Sequence, residues 1–138
     1  MKARFTPLLL LTLTAVGCSG RPGEALIARL MNEQIKAELG EGAARFENVK
    51  KQNGYQKSDN EYVAEVEFDL VFLKSLDEVV KARMSEAPEG AFNRMAVGLQ
   101  GMALSAAFGD FQAGDRKHLQ RDITLIKTEK GWRLDKES

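Results

Sequence analysis

The sequence predicts an α+β domain: an N-terminal helix packed on a four-stranded antiparallel sheet, with two helices inserted between strands 2 and 3. Three observations predict this class. Apolar residues recur at every fourth position near the start of the domain. Further along, apolar and polar residues alternate as they do in strands. Two stretches with helical spacing separate the second and third predicted strands. Antiparallel hairpins with helices on one face are typical of α+β domains.

The first predicted element is an amphipathic helix at residues 24–39. Glu24 lies in its first turn, where the helix dipole favours an anion, and Gly40 suits a C-terminal cap. Its apolar residues recur at every fourth position: Ile27, Met31, Ile35 and Leu39. The pattern predicts a helix that covers one face of a sheet.

A β-hairpin is predicted from residues 44–56 and 61–74, with its turn at residues 57–60. Asn53-Gly54 is an alternative turn that would shorten the first strand. The second strand alternates clearly, and its expected core face carries Tyr62, Ala64, Val66, Phe68, Leu70 and Phe72.

Three carboxylates, Glu65, Glu67 and Asp69, lie along the other face of that strand. They could form a cation site or an acid–base pair, or a solvated face balanced by cross-strand cations such as Lys50 or Arg121. We favour the solvated face, because a hard-cation site usually needs several oxygens that converge from a loop.

Two helices are predicted next. Ser75 and Glu78 form a capping box that begins the first, and residues 87–90 end it. The second, residues 91–109, has no charge from Met95 to Gly109. Its two interior glycines, Gly98 and Gly101, suggest close packing or local looseness.

The second helix carries four candidate partner-binding residues: Phe92, Met95, Leu99 and Met102. Three interpretations of this apolar stripe compete. We favour burial against the sheet and the first helix. A surface for a partner protein is the second interpretation, and insertion into lipid is the third, although the helix lacks a basic flanking face.

The third strand is predicted at residues 111–127, followed by a turn at residues 128–131 and a short strand containing Trp132 and Leu134. Arg121 falls on the apolar face of the third strand. It could be a binding-pocket cation, but we expect its head to reach the rim. His118 falls on the opposite face. It is the only histidine, and without catalytic partners in the sequence we expect a surface or hydrogen-bonding role.

The N-terminus has the layout of a secretory leader. Lys2 and Arg4 precede an apolar run that is shorter than the roughly 20 residues needed to span a bilayer. The run ends at residues 15–17 and Cys18, which resemble the lipobox of bacterial lipoproteins. The resemblance implies lipidation of Cys18 and removal of residues 1–17; Ser19, in place of aspartate, implies the outer membrane, with the domain facing the periplasm. An ordinary secretory leader with an incidental cysteine is the alternative.

These signals divide the chain into a leader at residues 1–17, a lipidated cysteine and linker at 18–23, and one domain at 24–138. Loss of the leader removes two of the 20 basic residues and none of the 20 acidic ones, so the net charge becomes about −2. This balance gives no basic surplus for nucleic acid. No thiol other than that of Cys18 exists for a disulfide or a zinc site.

The element order and the ending at residues 126–134, IKTEKGWRL, resemble small cystatin-like or NTF2-like domains of envelope lipoproteins. That resemblance implies a long helix cradled by a curled sheet, and the helical insertion departs from it. We expect a non-enzymatic lipoprotein without cofactor or metal, held at the membrane through Cys18, that binds an envelope protein or small ligand. The alternatives are a periplasmic immunity or inhibitor lipoprotein, and an NTF2-like enzyme with a carboxylate in a concave pocket.

Overall fold

The computed structural model describes residues 20–136 and has the predicted α+β class, with three helices and one four-stranded antiparallel sheet. The strands lie in the order β1-β2-β3-β4, so every neighbouring pair is also consecutive in the chain. The elements are α1 (Glu24–Leu39), β1 (Ala44–Ser58), β2 (Glu61–Phe72), α2 (Leu76–Glu86), α3 (Ala91–Phe108), β3 (Arg116–Thr128) and β4 (Gly131–Leu134).

Helix α1 has the bounds that its apolar repeat predicts, and it buries the four residues of that repeat. It ends where Gly40 takes a φ of 97°, and the N–H of Gly40 donates to the carbonyl of Lys36. Glycine reaches this positive φ at little steric cost, so it is well suited to stop the helix.

The residues just before α1 are docked on the domain. Pro22 is fully buried, and the Nζ of Lys51 donates to its carbonyl oxygen at 3.1 Å. The backbone N–H of Lys51 donates to the carboxylate of Glu24 at 2.8 Å. The last part of the stretch interpreted as a linker is therefore held against β1.

The β1–β2 hairpin turns at Asp59-Asn60, within the predicted turn. The alternative turn at Asn53-Gly54 is wrong, because both residues lie inside β1 and pair with residues of β2. Gly54 has a packing role there: a Cβ at this position would lie only 2.7 Å from Cζ of Tyr62. The predicted core face of β2 is confirmed, since all six of its residues are buried.

Two clusters of buried side chains lie along the sheet. One joins Ile27 and Met31 of α1 to the first half of β2 and to Leu125. The other joins the C-terminal half of α1 to the end of β2, and it includes residues of α2 and α3 together with Phe111. The α2–α3 pair is therefore packed at the end of the sheet where α1 finishes.

The third strand begins later than predicted, at Arg116 rather than at residue 111. Phe111 is instead buried against Phe72, with the rings stacked and their centroids 4.0 Å apart. The segment turns at Gly114, which has a φ of 91°. The final hairpin is as predicted, with Thr128 paired to Gly131.

Candidate functional site

Helices α2 and α3 form a helical hairpin, and the start of α2 is the one that the sequence predicts. The hydroxyl of Ser75 accepts from the N–H of Glu78, and the carboxylate of Glu78 accepts from the N–H of Ser75, so the predicted capping box is present. Gly90, with a φ of 133°, lies between the two helices. This local geometry brings α3 back along α2.

One face of α3 packs inward. Val97 and Leu104 are its buried residues, and Gly101 lies between them. A Cβ on Gly101 would lie 3.0 Å from Cγ2 of Val80, so this glycine permits the close approach of α2 and α3. The close packing expected around the helix glycines is therefore present at Gly101.

The opposite face of α3 is exposed and apolar. The exposed fractions are 75% for Phe92, 58% for Met95, 59% for Leu99 and 70% for Met102. With 3.6 residues per turn, these positions point roughly opposite to Val97. The structure thus brings the four candidate partner-binding residues together on one accessible surface, which we call the α3 apolar face.

The favoured expectation that this stripe is buried against the sheet and α1 is wrong. The physical reason is that α3 has two apolar faces, and α2 with the end of β2 covers only the one containing Val97 and Leu104. Gly98 shows the same asymmetry: the position of a Cβ on it has no heavy atom within 4 Å.

The three carboxylates of β2 lie on the sheet face away from α1, where neighbouring polar side chains satisfy them. Asp69 accepts from Asn48 at 2.8 Å, from Arg116 at 2.9 Å and contacts Nδ1 of His118 at 2.7 Å. Nε2 of His118 also lies 2.9 Å from Glu67. This is the balanced, solvated face favoured from the sequence, although its partners differ.

Arg121 and Lys50, the cations expected to balance the β2 carboxylates, are not the partners that the structure shows. Arg121 pairs in register with Val66, so it lies on the other face of the sheet, where it is exposed and donates to the carbonyl of Gln120 at 3.3 Å. Lys50 is opposite Glu67, but the carboxylate of Glu67 contacts Gln52 and His118. Glu65 accepts a hydrogen bond from Gln120.

The electrostatics of this network favour charged carboxylates. Hydrogen bonds from Asn48 and His118 lower the pKa of Asp69 to about 2. A hydrogen bond to Asp69 raises the pKa of His118, and hydrogen bonds from Arg116 and Arg45 lower the pKa of Glu47. The network therefore stabilises ion pairs across β1, β2 and β3.

Sequence reasoning missed Arg116 and Asn48 as partners of Asp69. Asn48 has a φ of 52° at an irregularity in the β1–β2 register, and an asparagine tolerates this conformation better than most residues. His118 lies beside Asp69 because of the β2–β3 register. Predicting that register from the sequence would require knowing where both strands end.

Two chemical possibilities can be compared with the described residues. An enzyme with a catalytic carboxylate would be favoured by a buried acid of raised pKa, whereas residues 20–136 contain no buried polar or charged side chain. Within the same residues, no group of three or more histidine, cysteine or acidic side chains is arranged to hold a metal ion.

The membrane-directed signals fall largely outside the structure. Cys18 and the leader before it lie outside residues 20–136. Among the helices that the structure describes, none combines the length and hydropathy needed to cross a bilayer. No family of known proteins, no curated protein sequence and no solved structure matches the chain.

Proposed function

We propose that this protein is a small lipoprotein of the bacterial envelope that binds a partner protein or small ligand through the α3 apolar face. One observation carries the binding role: four large apolar side chains, each more than half exposed, share one face of a helix that is uncharged from Met95 to Gly109. Contiguous exposed apolar patches on soluble domains mark interaction sites.

The proposed anchor is lipid on Cys18, with the domain on the periplasmic side of the outer membrane. Its support is the leader pattern and the lipobox resemblance. A single acyl chain binds membranes only marginally, whereas the three chains that the resemblance implies would hold the protein permanently.

The docked residues before α1 limit how far the domain can move from such an anchor. From Cys18 to the buried Pro22 the chain extends four residues, which reach at most about 14 Å. The start of α1 would therefore stay close to the lipid. The α2–α3 hairpin packs around the other end of α1, about 24 Å along the helix axis.

This separation supports a protein partner in the periplasm over direct insertion of α3 into lipid. A domain with α1 pointing away from the membrane would present Phe92 and Leu99 well outside the headgroups. Arg94 is the only basic residue of α3, so the helix also lacks the basic face by which interfacial helices attract anionic lipid.

We also propose that the domain is a cystatin-like or NTF2-like variant, with α1 cradled by a curled sheet. The order of one helix followed by an antiparallel meander supports this, as does the burial of the α1 stripe together with one face of β2. The α2–α3 insertion is the departure from the simplest form of that fold, and it is also the part that carries the exposed face.

The test combines an anchor measurement with a matched pair of surface variants. Mass spectrometry of the membrane fraction should find Cys18 acylated as the first residue. Phe92→Asp with Leu99→Asp should abolish capture of the partner, while Tyr55→Asp, at a ring on β1 that is 60% exposed, should preserve it. Unchanged capture by the folded double variant would refute the binding role of α3.

A further inference from the structure

We propose that the partner of the α3 apolar face is a second copy of this chain, and that the two α3 helices pair antiparallel about a two-fold axis near Leu99. This proposal rests on the proposed function, because it names the occupant of the same surface. Four features of α3 support it: the spacing of its exposed residues, the open space around Gly98, the distribution of side-chain size and the lack of charge from Met95 onward.

The exposed apolar residues follow the spacing of a helix-pairing seam. Phe92, Met95, Leu99, Met102 and Ala106 are separated by three, four, three and four residues, and all five are exposed. This alternation of three and four is the a/d pattern by which one helix packs along another. Because the inward residues of α3 follow a separate face, nothing among residues 20–136 covers this seam.

Gly98 lies beside this seam and makes no close packing contact within residues 20–136. Glycine weakens the interior of a helix. At Gly101 this cost has a structural reason, because a Cβ there would lie only 3.0 Å from Cγ2 of Val80. No atom approaches the corresponding position on Gly98, which is exposed. Ser105 lies two turns further on the same flank, so small residues line this side of the seam and permit a close approach.

The distribution of side-chain size favours an antiparallel pair. The seam begins with the large ring of Phe92 and ends with Ala106, and Ala103 adjoins its small end. In an antiparallel pair centred near Leu99, Phe92 of one copy packs over Ala106 of the other. In a parallel pair the two rings would meet each other, and the alanines would leave a gap at the far end.

The charge distribution is compatible with a second copy, and the exposed area indicates how strong the pairing can be. Arg94 is the one charged residue of α3, and no charged residue occurs from Met95 to Gly109. In an antiparallel pair centred near Leu99, the two copies of Arg94 lie at opposite ends of the interface, so like charges do not meet. Four large side chains that are 58–75% exposed offer on the order of 400 Å² per copy. Stable dimers bury about 800 Å² per partner. We therefore expect weak pairing in solution and strong pairing when both copies are tethered to one membrane.

The experiment uses the full chain in its native membrane, with single cysteines on α3 and mild oxidation. The parent, whose only cysteine is Cys18, provides the background. Leu99→Cys should give covalent dimers at least about tenfold above Tyr55→Cys, the exposed control on β1, because both anchored copies share one surface. Phe92→Cys co-expressed with Ala106→Cys should give the mixed dimer, and Phe92→Cys alone should give little.

A photo-cross-linking residue at position 99 separates this proposal from the proposed function. An adduct of two copies of the chain supports the pair. An adduct with another protein, without self-adducts, overturns the second copy as partner and keeps α3 as a binding surface. If position 99 gives no protein adduct above the Tyr55 control, the second copy is overturned as the partner, and so is any other protein partner of the α3 apolar face. Equal self-cross-linking of Phe92→Cys and Leu99→Cys overturns the antiparallel arrangement.

Discussion

Two glycines three residues apart in α3 should respond oppositely to the same substitution. Gly98 and Gly101 both lie in the helix interior, where alanine is favoured over glycine by about 1 kcal/mol. The difference between them is the space available for a Cβ. Gly98 has open space, whereas a Cβ on Gly101 would lie 3.0 Å from Cγ2 of Val80.

Gly98→Ala should therefore keep the full gain in helix propensity, raising the free energy of unfolding by about 1 kcal/mol. For a domain of this size, that corresponds to an increase in Tm of about 3–6 °C. In Gly101→Ala the same gain is opposed by overpacking, which costs about 1–3 kcal/mol. Val80 is β-branched and its χ1 is restricted in a helix, so it cannot rotate away easily. We expect Gly101→Ala to be neutral or destabilising by up to about 2 kcal/mol.

The assay is urea unfolding of the chain from Gly20 onward, followed by circular dichroism at sub-micromolar concentration so that association does not contribute. Comparison of the two variants cancels the change in composition, since both replace one helical glycine with alanine. The reasoning is refuted if Gly101→Ala stabilises the protein as much as Gly98→Ala does, or if Gly98→Ala lowers the urea midpoint.

Three further perturbations test the capping box, the polar network and the core. Ser75→Ala removes the hydroxyl that accepts at the start of α2 and should cost about 1 kcal/mol in urea unfolding; no change in midpoint would contradict this. The hydrogen bond to Asp69 raises the pKa of His118. The stability from this contact is therefore complete below the ordinary pKa of 6.5 and is lost as the pH rises through the raised pKa. His118→Gln should remove this pH dependence from a series of thermal melts, and an unchanged profile would exclude the contact as its source. Phe111→Ala removes a fully buried ring stacked on Phe72 and should cost about 3–5 kcal/mol, so a loss below 1 kcal/mol would mean that the stack contributes little.

The elements whose sequence signals are local were predictable. The four-residue repeat of α1 and the alternation of β2 each identify one buried face without knowledge of the rest of the chain. The capping box of α2 is likewise local, since Ser75 and Glu78 satisfy each other's backbone groups. The strand ends were predicted less well, because no local signal marks them. Phe111 is apolar like a strand residue, but it packs in a loop against Phe72.

The polar network was harder to predict because it depends on register across a long connection. His118 and Asp69 face each other only because β2 and β3 pair with a particular offset. Between these strands lie the two helices and their loops, so residue counting cannot fix that offset. Asn48 adds a second difficulty, since it reaches Asp69 from an irregular position in β1 that the sequence does not mark.

The exposed stripe of α3 was wrongly predicted to be buried, because hydropathy identifies an apolar face but not the element that packs against it. In α1, one narrow stripe requires one covering surface, and the sheet supplies it. In α3 a second apolar face lies opposite the first, and the described chain covers only the face of Val97 and Leu104. Closing the second face within a monomer would require another layer of structure beyond α3. A helix of the same kind, brought by a neighbouring copy, supplies such a layer without any additional sequence.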